Sequence, residues 1–208
     1  REAMASEYKN RRVGGPDRHV EVDGVHVGGH QRPANRKEGR QDRRLAENQT
    51  GKRRVVVAIR ERAMAGTALS RTLTAVFASE DEALTFIKSR VDPASIIHAD
   101  EAAAWNDLHA RFETRRVNHS AEYANDNACV NQAESFFSRL RRGEAGHYHH
   151  IAGPYLGRYA REMAWREDLR RDSNGAQFQK VVGLVAANGP SVDFCGYWQR
   201  ARNLRRAA

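Results

Sequence analysis

Apolar residues fall into short blocks of two different periods. From His19 to Val27 (HVEVDGVHV) they alternate as Val20, Val22, then Val25, Val27, with the phase changing at Asp23-Gly24. Alternation predicts a strand, and a change of phase at a glycine predicts a bulge that re-aims the side chain beside it. Val55–Ile59 is an unbroken apolar run and predicts a buried strand. Ala68–Phe77, with Leu69, Leu73 and Val76-Phe77, predicts a third. Ser79-Glu80-Asp81-Glu82 has the spacing of a capping box and should open a helix with Ala83, Phe86 and Ile87 inward, ended by Pro93. Ser95–Ala99 predicts a fourth strand with Asp100 at its C-terminal end. A helix through Ala104, Trp105, Leu108 and Phe112 and a fifth short strand over Arg115–His119 follow. In Asn131–Arg142 the period becomes helical: Glu134, Phe137, Ser138 and Arg141 share one face, and Phe136 and Leu140 the neighbouring, core-seeking one.

The order β β β α β α β α predicts an α/β fold: a mixed five-stranded sheet with helices on both faces and extra C-terminal helices. Two later stripes, Tyr155, Leu156, Tyr159, Met163 with Leu169, and Phe178, Val181, Val182 with Val185, are expected to pack on the sheet as core. Residues 1–17 read as the remnant of an N-terminal helical region and a linker. Residues 18–172 read as the catalytic domain with a basic insertion at 28–54, and 173–208 as a C-terminal helix and basic tail.

Charge narrows the partners. Lys and Arg number 35 against 26 Asp and Glu, a net charge of +9, which favours a polyanion such as DNA. Residues 28–54 hold nine of the cations, Arg36 and Lys37 among them, and read either as a phosphate-gripping arm or as a solvated insertion. At 40 % hydrophobic residues the chain is too apolar for a disordered basic tail, yet no run approaches a membrane span. Cys129 and Cys195 form no CxxC pair, which argues against a zinc ribbon or disulfide scaffold and fits a reduced cytoplasm. His147, His149 and His150 lack the cysteine partners of a zinc site.

The candidate chemistry lies in three acids. Asp23 and Asp100 sit in apolar strands, where burial disfavours their charge, and Glu134 sits on the amphipathic helix. Acids drawn together repel one another unless cations are bound. Two divalent ions, Mg2+ or Mn2+, held by Asp23, Asp100 and Glu134 would suit an in-line phosphodiester displacement. Asp23 is expected to bridge both ions, with Asp100 and Glu134 holding one each. Arg141, with Arg139 and Arg142 beside it, is the candidate phosphate grip. His119, Tyr148 and His149 are further candidate DNA contacts, for which a structural role is equally open.

Five motifs carry a resemblance: Glu21-Val22-Asp23…Val27-Gly28-Gly29, His98-Ala99-Asp100-Glu101-Ala102-Ala103-Ala104-Trp105, Val117-Asn118-His119-Ser120, Asn131-Gln132-Ala133-Glu134-Ser135-Phe136-Phe137-Ser138…Arg141-Arg142-Gly143 and Tyr148-His149-His150. In this order, from about Val20 to Asp172, the chain resembles the bacterial insertion-sequence DDE transposases of family fifteen-ninety-five, with the ISXO-two-like catalytic domain. The resemblance implies an RNase H-like fold, magnesium dependence and strand transfer of a mobile element. It implies DNA, both transposon ends and target, as partner, bound at the nucleoid, with a homo-oligomer forming on it. Asp23, Asp100 and Glu134 match the family's acidic triad. Gly24-Val25 departs from the usual residues after the first acid, and Arg141 replaces the usual lysine seven residues after the third. The family's N-terminal zinc ribbon and helix-turn-helix have no counterpart in these residues. A hydrolysis-only RNase H-fold nuclease and a catalytically inactive DNA-binding fragment are the alternative readings.

Overall fold

The computed structural model describes residues 1–28, 38, 53–63, 71–117 and 129–189. Its strands are β1 (His19–Val27), β2 (Arg54–Glu61), β3 (Arg71–Phe77), β4 (Ile96–Asp100) and β5 (Glu113–Val117), in the sheet order β3-β2-β1-β4-β5. β1, β2 and β3 pair antiparallel, while β4 runs parallel to β1 and β5 parallel to β4. This is the mixed five-stranded α/β sheet of an RNase H-like fold.

Strand parity divides the core in two. Val20, Val22, Val57, Ile59, Ile97 and Ala99 pack against Ala83 and Ile87 of α2 (Ala83–Arg90) and Trp105 and Leu108 of a 3-10 helix (Ala103–Ala110). Val25, Val27, Val56 and Ala58 meet Phe136, Phe137 and Leu140 of α3 (Asn131–Arg142) and Leu156, Ala160 and Ala164 of α4 (Gly153–Asp168). A short α1 (Glu2–Ser6) packs on α4 and on α5 (Asn174–Ala187). No helix among the described residues is long and apolar enough to cross a membrane.

Several local expectations are corrected. β1 has no bulge: Asp23 pairs with Ala58, Gly24 with Val57 and Val25 with Val56 in unbroken register. The apolar phase changes because the first half of β1 faces one core and the second half the other. No capping box forms at Ser79, since α2 begins at Ala83 and the Glu82 carboxylate instead accepts from the Ala78 N–H at 3.0 Å. The crossover between β4 and β5 is a 3-10 helix that ends before Phe112. Phe137 joins the core at 4 % exposure rather than lining the polar face of α3. α5 is no core helix: Phe178, Val182 and Val185 are exposed, and only Val181 and Leu184 touch the core.

Candidate functional site

Strand pairing brings the first two acids together. In the parallel ladder Val22 of β1 is level with Ala99 of β4, so Asp23 and Asp100 are the next residues along two neighbouring strands. α3 lies across β1 and β2, with Glu134 exposed in its first turn. Asp23 registers this company. Burial, and then the field of Asp100 ahead of those of Glu134 and Glu80, pushes its carboxyl up to about 7, although the Gly24 N–H donates to Oδ1 at 2.7 Å and works the other way. Both causes of the rise disfavour the charged form, one by removing water and the other by like charge.

Glu80, in the turn between β3 and α2, is the fourth member. A Cβ on Gly24 would stand 2.8 Å from Glu80 Oε1 and 3.2 Å from Val55 Cγ1, so the glycine leaves room for Glu80 on the α2 face of β1, from which its charge still acts on Asp23 on the other face. Burial, then Asp100 and Asp81, raises the Glu80 carboxyl as well. In the sequence it passes for part of a helix cap, and only the pairing of β3 and β1 with β2 brings it to Asp23.

The end of β4 is fixed from the side. Arg116 of β5 donates from Nε to the Asp100 carbonyl oxygen and from Nη2 to the Ala102 carbonyl oxygen at 2.8 Å. The Ala102 N–H in turn donates to Asp100 Oδ1 at 3.1 Å, which orients that carboxylate.

Among the described residues no lysine or arginine is ion-paired with Asp23, Asp100 or Glu80. Nor do three of the described His, Cys, Asp and Glu side chains converge closely enough to ligate one ion together. The donor set is nonetheless of hard oxygens only, the kind that Mg2+ and Mn2+ take. Cations would relieve the repulsion that raises Asp23, so the chemistry of the residues fits a divalent ion.

The remaining candidates separate. Arg141 is exposed, and its charge, after burial and Arg53, holds His26 below the usual histidine range. Arg53 and Arg141 thus bring positive charge to the far end of β1, around a His26 that they and burial keep neutral. Arg139 is turned inward: Nη1 donates to Ser135 Oγ at 2.9 Å and lies 3.3 Å from Glu167 Oε2 of α4. Arg142 is exposed and donates to the Ser138 carbonyl at 3.4 Å. Tyr148 packs edge-on against Tyr159 at 4.7 Å, while His149 is exposed with φ of 57°. Arg36, Lys37 and His119 lie outside the described residues.

The family model of the ISXO2-like transposase domain matches residues 13–168, which span the whole sheet, α3 and α4. No curated protein and no solved structure matches the chain.

Proposed function

The chain belongs to the ISXO2-like transposase domain family, and from that premise we propose that it cleaves DNA strands and joins the freed 3′-hydroxyl of a mobile element to target DNA, using Asp23, Asp100 and Glu134 to hold divalent metal. The observation that carries the reading is the adjacency of Asp23 and Asp100 on paired strands, with Glu134 close enough for its charge to act on Asp23.

Each residue has a definable task. Asp23, largely stripped of water among other acids, would gain most from a bound cation, which would favour its charged form. Asp100 is oriented by the Ala102 N–H, on a strand end that Arg116 clamps. Glu134 approaches from α3, so this third oxygen donor is set by helix docking rather than by the sheet. When bound, the metal supplies Lewis-acid chemistry that activates the attacking hydroxyl and neutralises the leaving oxygen. Arg141 holds a phosphate of the incoming duplex at the far end of β1, past the acids, its guanidinium matching two phosphate oxygens at once.

The test is a joining assay. A labelled duplex oligonucleotide with a free 3′-hydroxyl is incubated with supercoiled plasmid and Mg2+. Labelled plasmid is expected, and EDTA should abolish it. Nicking without joining would instead mean a hydrolysis-only nuclease, and DNA binding with neither would mean an inactive fragment.

Arg141→Ala should weaken duplex binding about equally for all sequences and lower the slope of log affinity against log salt by about 1. Fluorescence anisotropy across a salt series measures this; an unchanged slope would remove Arg141 from the DNA interface.

A further inference from the structure

The base of α3 is held by a buried polar cluster one level below the acids. Glu21, two residues before Asp23 and on the same face of β1, stands level with His98 of β4 and Arg60 of β2, and its side chain is fully buried. Its Oε1 accepts from Arg62 Nε at 2.7 Å, and its Oε2 accepts from the Ala133 N–H at 2.9 Å. Ala133 is the third residue of α3 and immediately precedes Glu134. Val130, the residue capping that helix, offers no side-chain acceptor. Glu21 therefore satisfies from a neighbouring strand one of the N–H groups a helix leaves open at its start, with a negative charge suited to that end of the helix.

The same cluster grips the residues leading into the helix. Arg62 Nη2 donates to the Cys129 carbonyl, and the Cys129 N–H donates to His98 Nδ1 at 3.2 Å. His98 Nε2 lies 2.8 Å from His19 Nδ1, and Arg60 Nε donates to Gln132 Oε1 at 3.3 Å. Every residue from Cys129 to Ala133 except Val130 and Asn131 is thus tied to β1, β2, β4 or Arg62 by a polar contact, and Val130 is itself fully buried.

We propose that Glu21 is a positioning residue: through the Ala133 N–H and Arg62 it locks the first turn of α3 to the strand that carries Asp23, and so sets Glu134 against Asp23 and Asp100. It touches neither metal nor DNA. The inference rests on the metal-binding reading of Asp23, Asp100 and Glu134.

Glu21→Gln retains the size of the side chain but turns an amide NH2 toward one of two donors. The full chain is titrated with Mn2+ alone, free Mn2+ being read by electron paramagnetic resonance, well below the melting temperature. The expected result is weaker Mn2+ binding by about tenfold to a hundredfold, the usual effect of losing a group that orients a ligand. Faster amide exchange at residues 133–136 and a lower kcat with unchanged KM for DNA should accompany it. Wild-type Mn2+ affinity and wild-type exchange in Glu21→Gln would overturn the proposal, even if the variant melts earlier. Should Glu21→Gln fail to fold, Arg62→Gln, at a partly exposed position, removes one side of the same lock. It should weaken Mn2+ binding in the same direction, and wild-type affinity there would overturn the proposal too. If instead the wild type binds Mn2+ no better than Asp23→Asn does, the metal-site reading itself fails, and the two failures are told apart.

Discussion

Replacing Asp23 by asparagine is expected to leave the protein more stable and without activity. The Asp23 carboxyl rises from 3.8 to about 7 on folding because burial and the neighbouring acids oppose its charge. A raised carboxyl favours the folded state while protonated in both states. The penalty begins as pH passes the unfolded value near 3.8 and is complete above about 7. Between pH 5 and pH 8 the wild type should therefore lose roughly 3 kcal/mol that Asp23→Asn does not lose, at 1.36 kcal/mol per pH unit. For a chain of this size that is a relative shift in melting temperature of roughly 5–10 °C. Glu80, and Asp168, which is pushed up to about 6, slope in the same direction, so the difference between wild type and variant is the quantity to read. Mg2+ should restore the wild type at pH 8 and leave the variant unmoved, because only the charged acid gains from the cation. In the joining assay the variant should fall by about a thousandfold, several kcal/mol of lost charge stabilisation at one decade per 1.36 kcal/mol. Equal joining by both proteins would end the proposed mechanism, and parallel pH profiles of melting would remove the buried, crowded environment of Asp23.

The strands were legible because β-branched runs can do little else: Val55–Ile59 has no polar side to show to water. Helices on both faces of the sheet were legible from the order of elements, but how the valines of β1 divide between those faces was not, and this explains the missed reading of β1. A change of apolar phase looks like a bulge when one strand is taken to serve one core, whereas the valines of β1 serve both. α5 failed for the opposite reason. Its apolar spacing is helical, yet the sheet is already covered by the time the chain reaches it, and Phe178, Val182 and Val185 have no surface left to cover. In the site, Asp23 and Asp100 were conspicuous as acids among valines, isoleucines and alanines. Their adjacency depends on strand pairing, which local pattern does not encode. Glu80 passed for part of a helix cap. Glu21 had a usable signal, a second acid two residues before Asp23 in the same apolar strand, where unpaired charge is costly. Arg139 shows the limit of reading a charge run: three cations lie in one helix turn, and only packing decides that this one faces Glu167.

Glu167→Ala should destabilise the fold by roughly 3–5 kcal/mol, the usual cost of leaving a buried charge without its partner. Arg60 projects from β2 into the protein at 2 % exposure, with Nη2 2.9 Å from Glu167 Oε1 and Nη1 donating to Thr72 Oγ1 at 2.7 Å. Burial lowers the Arg60 guanidinium's proton affinity, and Glu167 is the charge that does most to hold it up. Glu167 also receives Arg139 at 3.3 Å and Arg170 at 3.4 Å, so one carboxylate on α4 answers for three guanidinium groups. Removing it takes from the buried Arg60 its ion-pair carboxylate and leaves Arg139 and Arg170 facing it without the acid they share. Removing Arg60 instead, as Arg60→Met, leaves a carboxylate that still has two partners. The asymmetry is the test. In urea unfolding, Glu167→Ala should lose more than Arg60→Met, and the double variant should lose less than the sum of the two, because residues in one polar network do not act independently. A double variant whose loss equals that sum would show that Arg60 and Glu167 contribute separately. The ion pair would then be a neighbour of the α3–α4 packing rather than the tie that holds α4 to the sheet.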